Sequence, residues 1–133
     1  MNTAVITLSG NLTANPEVAQ IGNGQTKMTF TVACEHRFQK NNEWESKPSF
    51  IRVIAWRDLA DRAKPLLEKG MRVMVTGRLD QRSWKDDDGK TNSMVEVVAD
   101  DIALSVRGLS GATRRLAPNQ GPATVAAEDD GAW

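Results

Sequence analysis

Residues 50–84 read FIRVIAWRDLADRAKPLLEKGMRVMVTGRLDQRSW. The stretch opens with a strand from Phe50 to Trp56 and closes with a longer one from Met71 to Trp84. Side chains alternate faces along a strand. Phe50, Arg52, Ile54 and Trp56 therefore share one face, opposite Ile51, Val53 and Ala55. In the second strand Arg72, Met74, Thr76, Arg78, Asp80, Arg82 and Trp84 oppose Val73, Val75, Gly77 and Leu79. Two strands thus each carry rings and arginines on a single face. Flat rings stack on bases and guanidinium groups hold phosphates, so this is the composition of a single-stranded nucleic-acid platform. The competing reading is a half-buried sheet whose arginines extend their heads to water.

Between the strands, Asp58 to Lys69 has helical spacing, with Leu59, Ala63, Leu66 and Leu67 recurring on one side. Asp58 suits the N-cap, and Lys69 and Gly70 suit the end. Pro65 clashes with the preceding turn, so the helix is expected to be short or kinked. Arg62 and Lys64 read as its solvated side.

Upstream, Val5 to Leu12 alternates apolar and polar residues and reads as a first strand, with Gly10 marking a bend or bulge. Asn15-Pro16 and Gly22-Asn23-Gly24 are turn signals. Met28 to His36 reads as a second strand, with Met28, Phe30, Val32 and Cys34 on its apolar face. Arg37 to Ser49 reads as a polar loop interrupted by Phe38 and Trp44. Downstream, Asp86 to Gly89 suits a turn, and Met94 to Val106 a fifth strand. The expected class is all-β, a five-stranded OB-fold barrel with one short helix between strands 3 and 4. Residues 1–107 form the domain. Residues 108–133 turn to Gly, Ala, Pro, Asn and Gln and read as a disordered tail.

A chain of 133 residues suffices for one core. Its single cysteine, Cys34, excludes an intramolecular disulfide and suits a small core position. No apolar run approaches membrane-spanning length, so the expected location is cytoplasmic, without membrane contact. The net charge of +0 is unlike the basic footprint of most nucleic-acid binders. The charges are segregated, however. Arg37, Lys40, Lys47, Arg52, Arg78, Arg82 and Lys85 stand beside rings, while acids gather at Asp86–Asp88 and Glu128–Asp130.

Three segments, VITLSGNLTANPE (residues 5–17), FIRVIAW (50–56) and KGMRVMVTGRLDQRSW (69–84), resemble the bacterial single-stranded DNA-binding protein family. The similarity runs from about Thr3 to Val106 and is closest to the shorter members. The resemblance implies an OB domain, a homotetramer and sequence-tolerant binding of single-stranded DNA in replication, repair or recombination, at the nucleoid. It places the stacking positions on His36, Phe50, Trp56 and Trp84. Phe50 stands where tryptophan is common, and Trp56 where phenylalanine is common. His36 departs furthest, because an imidazole offers less surface. Arg52, Arg78, Arg82 and Lys85 are the phosphate candidates, with Lys69 and Arg72 behind them. Lys69 has a competing role as a helix C-terminal cation. The Arg37–Lys47 loop could close over DNA, Phe38 or Trp44 adding a ring. Glu128, Asp129, Asp130 and Trp133 resemble the acidic, apolar-ended tip with which family members dock replication and repair proteins. The tip here has three acids and lacks the usual proline.

Catalysis is not indicated. One histidine and one cysteine cannot build a usual zinc site. No phosphate loop, nucleophile elbow or calcium loop is present, and no cofactor is implied. The main alternative is an OB-type interaction module of a primosome assembly, whose ligand is a protein. An RNA-binding OB domain is a third reading.

Overall fold

In a computed structural model, residues 3–108 are described. The elements run β1 (Val5–Leu12), β2 (Glu17–Ile21), β3 (Gln25–Lys40), β4 (Glu43–Trp56), α1 (Arg57–Ala63), β5 (Arg72–Lys85), β6 (Thr91–Leu104) and a 3₁₀ turn, Val106–Gly108. Strand order is β1-β5-β6-β4-β3-β2, and β1 also pairs with β3 through Asn11↔Ala33 and Leu12↔Val32. That second pairing returns the ladder to its start, which is the closure of an OB-type barrel. The parallel pairing is β4 with β6, at Val53↔Val97 and Ile54↔Val98.

The core is built from one side of each strand except β2. Met28, Phe30 and Val32 of β3 meet Val53 and Ala55 of β4, Val73 and Val75 of β5, and Val97 of β6. Leu8 and Leu12 of β1 complete it, with Ala60, Ala63 and Leu67 from the helical segment. Two glycines are required by close approach. A Cβ on Gly10 would collide with the Ala33 carbonyl, and one on Gly77 with the Val98 carbonyl. Gly77 sits at a register shift: Thr76 opposes Asp101 and Gly77 opposes Ala99, which leaves Asp100 as the extra bulge residue on β6.

Several expectations need correction. There are six strands rather than five, so the helix lies between β4 and β5. β2 is exposed at every position and leaves no apolar periodicity to read. The predicted loop from Arg37 to Ser49 is instead the far part of a long hairpin, whose register holds from Lys27↔Trp56 to Lys40↔Glu43. Asn41 and Asn42 turn it with φ of 54° and 66°, as a two-residue type I′ turn requires. The helix ends at Ala63, not Lys69. Pro65 has no N–H to continue the ladder, and the amides of Leu66 and Leu67 both turn back to the Ala63 carbonyl. Leu66 is left exposed. Trp56, not Asp58, holds the N-cap position. Asp58 pairs with Arg62 at 2.9 Å, so Arg62 does lie on a solvated face.

Candidate nucleic-acid interface

Partners in a ladder present their side chains on the same face. Along β3 and β4, Met28, Phe30 and Val32 face the core with Ala55, Val53 and Ile51. The other face therefore carries Trp44, Phe50, Arg52, Ile54 and Trp56 together with Lys27 and Arg37. β6 continues it. Val98 stands beside Ile54, and Val98, Glu96, Met94 and Asn92 oppose Arg78, Asp80, Arg82 and Trp84 of β5. One outer face thus unites four rings with Arg52, Arg78 and Arg82. Trp44 and Phe50 are 65% and 64% exposed, and Trp84 39%. From Trp56 to Trp44 the strand measures about 40 Å at roughly 3.3 Å per residue.

At the centre lies a residue the sequence reading passed over. Glu96 is 2% exposed on the outer side of the sheet. Its Oε2 is 2.7 Å from Arg52 Nε, although the Nε–H is not aimed at it, so the contact is an ion pair without an aligned hydrogen bond. Arg82 Nη2 donates to the same oxygen at 3.5 Å. Two guanidinium groups therefore converge on one carboxylate and leave one net positive charge. The signal was available: Glu96 interrupts the apolar run Met94-Val95-Glu96-Val97-Val98, where only a paired acid is tolerated.

Each tryptophan of the described residues carries a cation. Arg82 Cζ lies 5.0 Å from the ring centre of Trp84, Lys27 Nζ 5.5 Å from that of Trp56, and Arg37 Cζ 5.7 Å from that of Trp44. These are cation–π distances, and they set positive charge against flat apolar surface. Lys27 is a second residue that sequence reading missed, because it is remote in the chain and meets Trp56 only through the β3–β4 register.

Other predicted positions fall elsewhere. His36 lies on the opposite face of the β3–β4 ladder from Phe50 and Trp56, where its ring stacks on Phe38 at 5.9 Å and 17°. Lys85 alternates with Trp84 and lies on the reverse face of β5. Arg72 is at the far end of β5, paired with Asn11, ten residues and so about 33 Å along the strand from Arg82. Lys69 sits beyond the helix, its backbone N–H donating to Asn15 Oδ1 at 2.8 Å, so it is not the helix-end cation. Cys34 packs against the core, and burial pushes its thiol pKa up. Glu128, Asp129, Asp130 and Trp133 lie outside the described residues. Among the described residues no cluster of His, Cys, Asp or Glu could hold a metal ion, and no helix is long and apolar enough to cross a membrane.

Residues 1–105 match the family described as "Single-strand binding protein family". The chain belongs to this family. It is 44% identical over 120 residues to the single-stranded DNA-binding protein of Bifidobacterium longum, covering 88% of this chain and 55% of that protein. The corresponding protein of Mycobacterium leprae is 40% identical over 105 residues, covering 77% of this chain and 62% of that one. The chain therefore spans little more than half the length of these relatives. Among solved structures it resembles the small single-stranded DNA-binding protein from Streptomyces coelicolor, with a TM-score of 0.68 at 28% identity over 80% of this chain and 98% of that one. The Plasmodium falciparum protein solved with single-stranded DNA superposes with a TM-score of 0.73 at 23% identity, over 79% of this chain and 97% of that one, a likeness of fold.

Proposed function

We propose that the chain binds single-stranded DNA without reading its sequence, as a homotetramer, and protects it during replication, repair or recombination at the nucleoid. The observation that carries this reading is the single outer face on which Trp44, Phe50, Trp56 and Trp84 alternate with Arg52, Arg78 and Arg82. Base–ring stacking contributes about 1–3 kcal/mol per base and accepts any base, since every base has a π-face. The arginines neutralise phosphates, and the counterions released make affinity fall with salt. A strand crossing several copies in turn would gain avidity over any single site. The segment Glu128, Asp129, Asp130 and Trp133 is the proposed docking tip for replication and repair proteins.

The test is an intrinsic tryptophan fluorescence titration with poly(dT) at low and high salt, with duplex DNA and poly(U) as competitors. Strong quenching that weakens with salt and survives duplex competitor is expected. Absence of quenching at low salt would sink the reading and direct attention to protein ligands. Equal competition by poly(U) would shift the ligand to RNA.

A further inference from the structure

Arg57, directly after Trp56, has φ of 55°. The other non-glycine residues with positive φ among those described are Asn41 and Asn42, a residue type that tolerates this region. Arginine does not, because its Cβ crowds the following carbonyl. The chain must turn here from β4 into α1, and glycine would make the turn without strain. The strained position is occupied by a cation beside an aromatic ring. Strain of this kind gathers at ligand-binding positions.

The surroundings supply a second, independent observation. Trp56, Arg57, Arg78, Gln25 and Asp100 line an open cleft of about 400 Å³, within the range of small-ligand sites. Arg52 and Arg82 are tied to Glu96, whereas no ion pair among the described residues holds Arg57 or Arg78. Lys27 adds a third positive charge over Trp56. The opposing charge is Asp100, the exposed bulge residue. The balance in and beside the cleft is two positive charges next to a flat ring.

We propose that this cleft is a phosphate subsite, in which Arg57 and Arg78 hold a phosphate of the strand whose base lies on Trp56. The proposal rests on the single-strand binding reading above. Arg57 then trades backbone strain for a guanidinium placed where phosphate passes, and the helix end of the face becomes an anchoring point for the strand.

The test compares the full chain with Arg57→Gly and Arg57→Lys, by thermal melting and by oligo(dT) binding over a salt series. Arg57→Gly is expected to melt higher, by roughly 4 °C or more, as the strain is relieved. It should also bind several-fold more weakly at low salt, with a log–log salt slope shallower by about 0.7. Arg57→Lys should keep the wild-type slope. Wild-type slope and affinity in Arg57→Gly would overturn the subsite while leaving the wider reading intact. So would a slope lowered equally in Arg57→Lys, which keeps both the charge and the strained backbone, since the loss would then not come from neutralisation of a phosphate by charge. A melting point that does not rise in Arg57→Gly would overturn the trade. A wild-type chain that binds no oligo(dT) would overturn both this proposal and the reading beneath it.

Discussion

Glu96 Oε2 lies 2.7 Å from Arg52 Nε, which puts a buried carboxylate under the guanidinium in the middle of the ring-bearing face. The same oxygen receives Arg82, and Arg82 covers one side of Trp84. Acid, arginine and ring thus form a chain in which each member fixes the next.

Glu96→Gln separates charge from position. Removing a negative charge from the proposed DNA-binding face should strengthen binding if charge alone mattered. Without its carboxylate, however, the Arg52 and Arg82 pair repel each other and Arg82 loses its hold over Trp84. The expected outcome is weaker oligo(dT) binding, with stability lower by about 1–3 kcal/mol, since both arginines are partly solvated and the penalty is well below that of a dry ion pair. Urea melts and a binding isotherm check it. Tighter binding than wild type would refute the positioning role.

Trp44→Ala tests the far end of the face. Trp44 is 65% exposed, so truncation should leave stability within about 0.5 kcal/mol. Binding should weaken by roughly 1–3 kcal/mol if a base stacks there. A drop in melting temperature with unchanged affinity would assign the ring to the hairpin's own stability.

Trp84→Ala should remove stacking at the other hairpin by a similar amount, with far-UV circular dichroism unchanged. An unfolded variant would place Trp84 in the structure rather than the site. Arg82→Ala, by contrast, should lower affinity for all sequences alike and make the salt slope shallower by about 0.7. A change in base preference at constant slope would contradict its phosphate role.

Asp86 makes the β5–β6 loop pH-dependent. Its carboxylate accepts Asn92 Nδ2 at 3.1 Å and the N–H groups of Lys90 and Asp88, each at 2.9 Å. The Asn92 bond first, then these backbone bonds, hold its pKa below the ordinary 3.8. A group whose folded pKa is depressed stabilises above the unfolded value and loses that contribution as pH falls through the folded one. The loop should therefore keep this support above the ordinary carboxylate range and lose it progressively as pH falls through and below that range. Protection of the Asp88 and Lys90 amides, taken relative to their intrinsic exchange rates at each pH, follows the change, and protection that does not fall with pH would show that the carboxylate does not hold the loop.

The barrel was legible because its strands border a core. Met28, Phe30 and Val32 alternate with polar neighbours, and Val73 and Val75 do the same, so period and register could be read directly. Pro65 announced the early end of the helix. Illegible were the strands that border nothing. Glu17–Ile21 and residues 37–49 lie beyond the core, exposed on both sides except for the half-buried Phe38, so no apolar face marks them as strands. That blind spot also set the errors in the site. Reading residues 37–49 as a loop hid the fact that Trp44 lines up with Phe50, whereas the turn of His36 away from Phe50 was readable, because it shares the parity of Met28, Phe30 and Val32 along its strand. Lys27 and Glu96 were invisible for a different reason: their partners, Trp56 and the two arginines, are neighbours only across strands.

The two long hairpins behave as cantilevers. Each is rooted in the closed barrel and projects past it, Trp44 near the tip of one and Trp84 near the tip of the other. A two-stranded ribbon without a core beneath it is only marginally stable and bends with little resistance. Under the proposed function, the separation between stacked bases would be set by how far the ribbons flex, not by a rigid surface. A stiff platform would demand one rise per nucleotide, whereas compliant arms accept a range. Indifference to sequence is, on this view, as much a mechanical property of the ribbons as a chemical property of the rings.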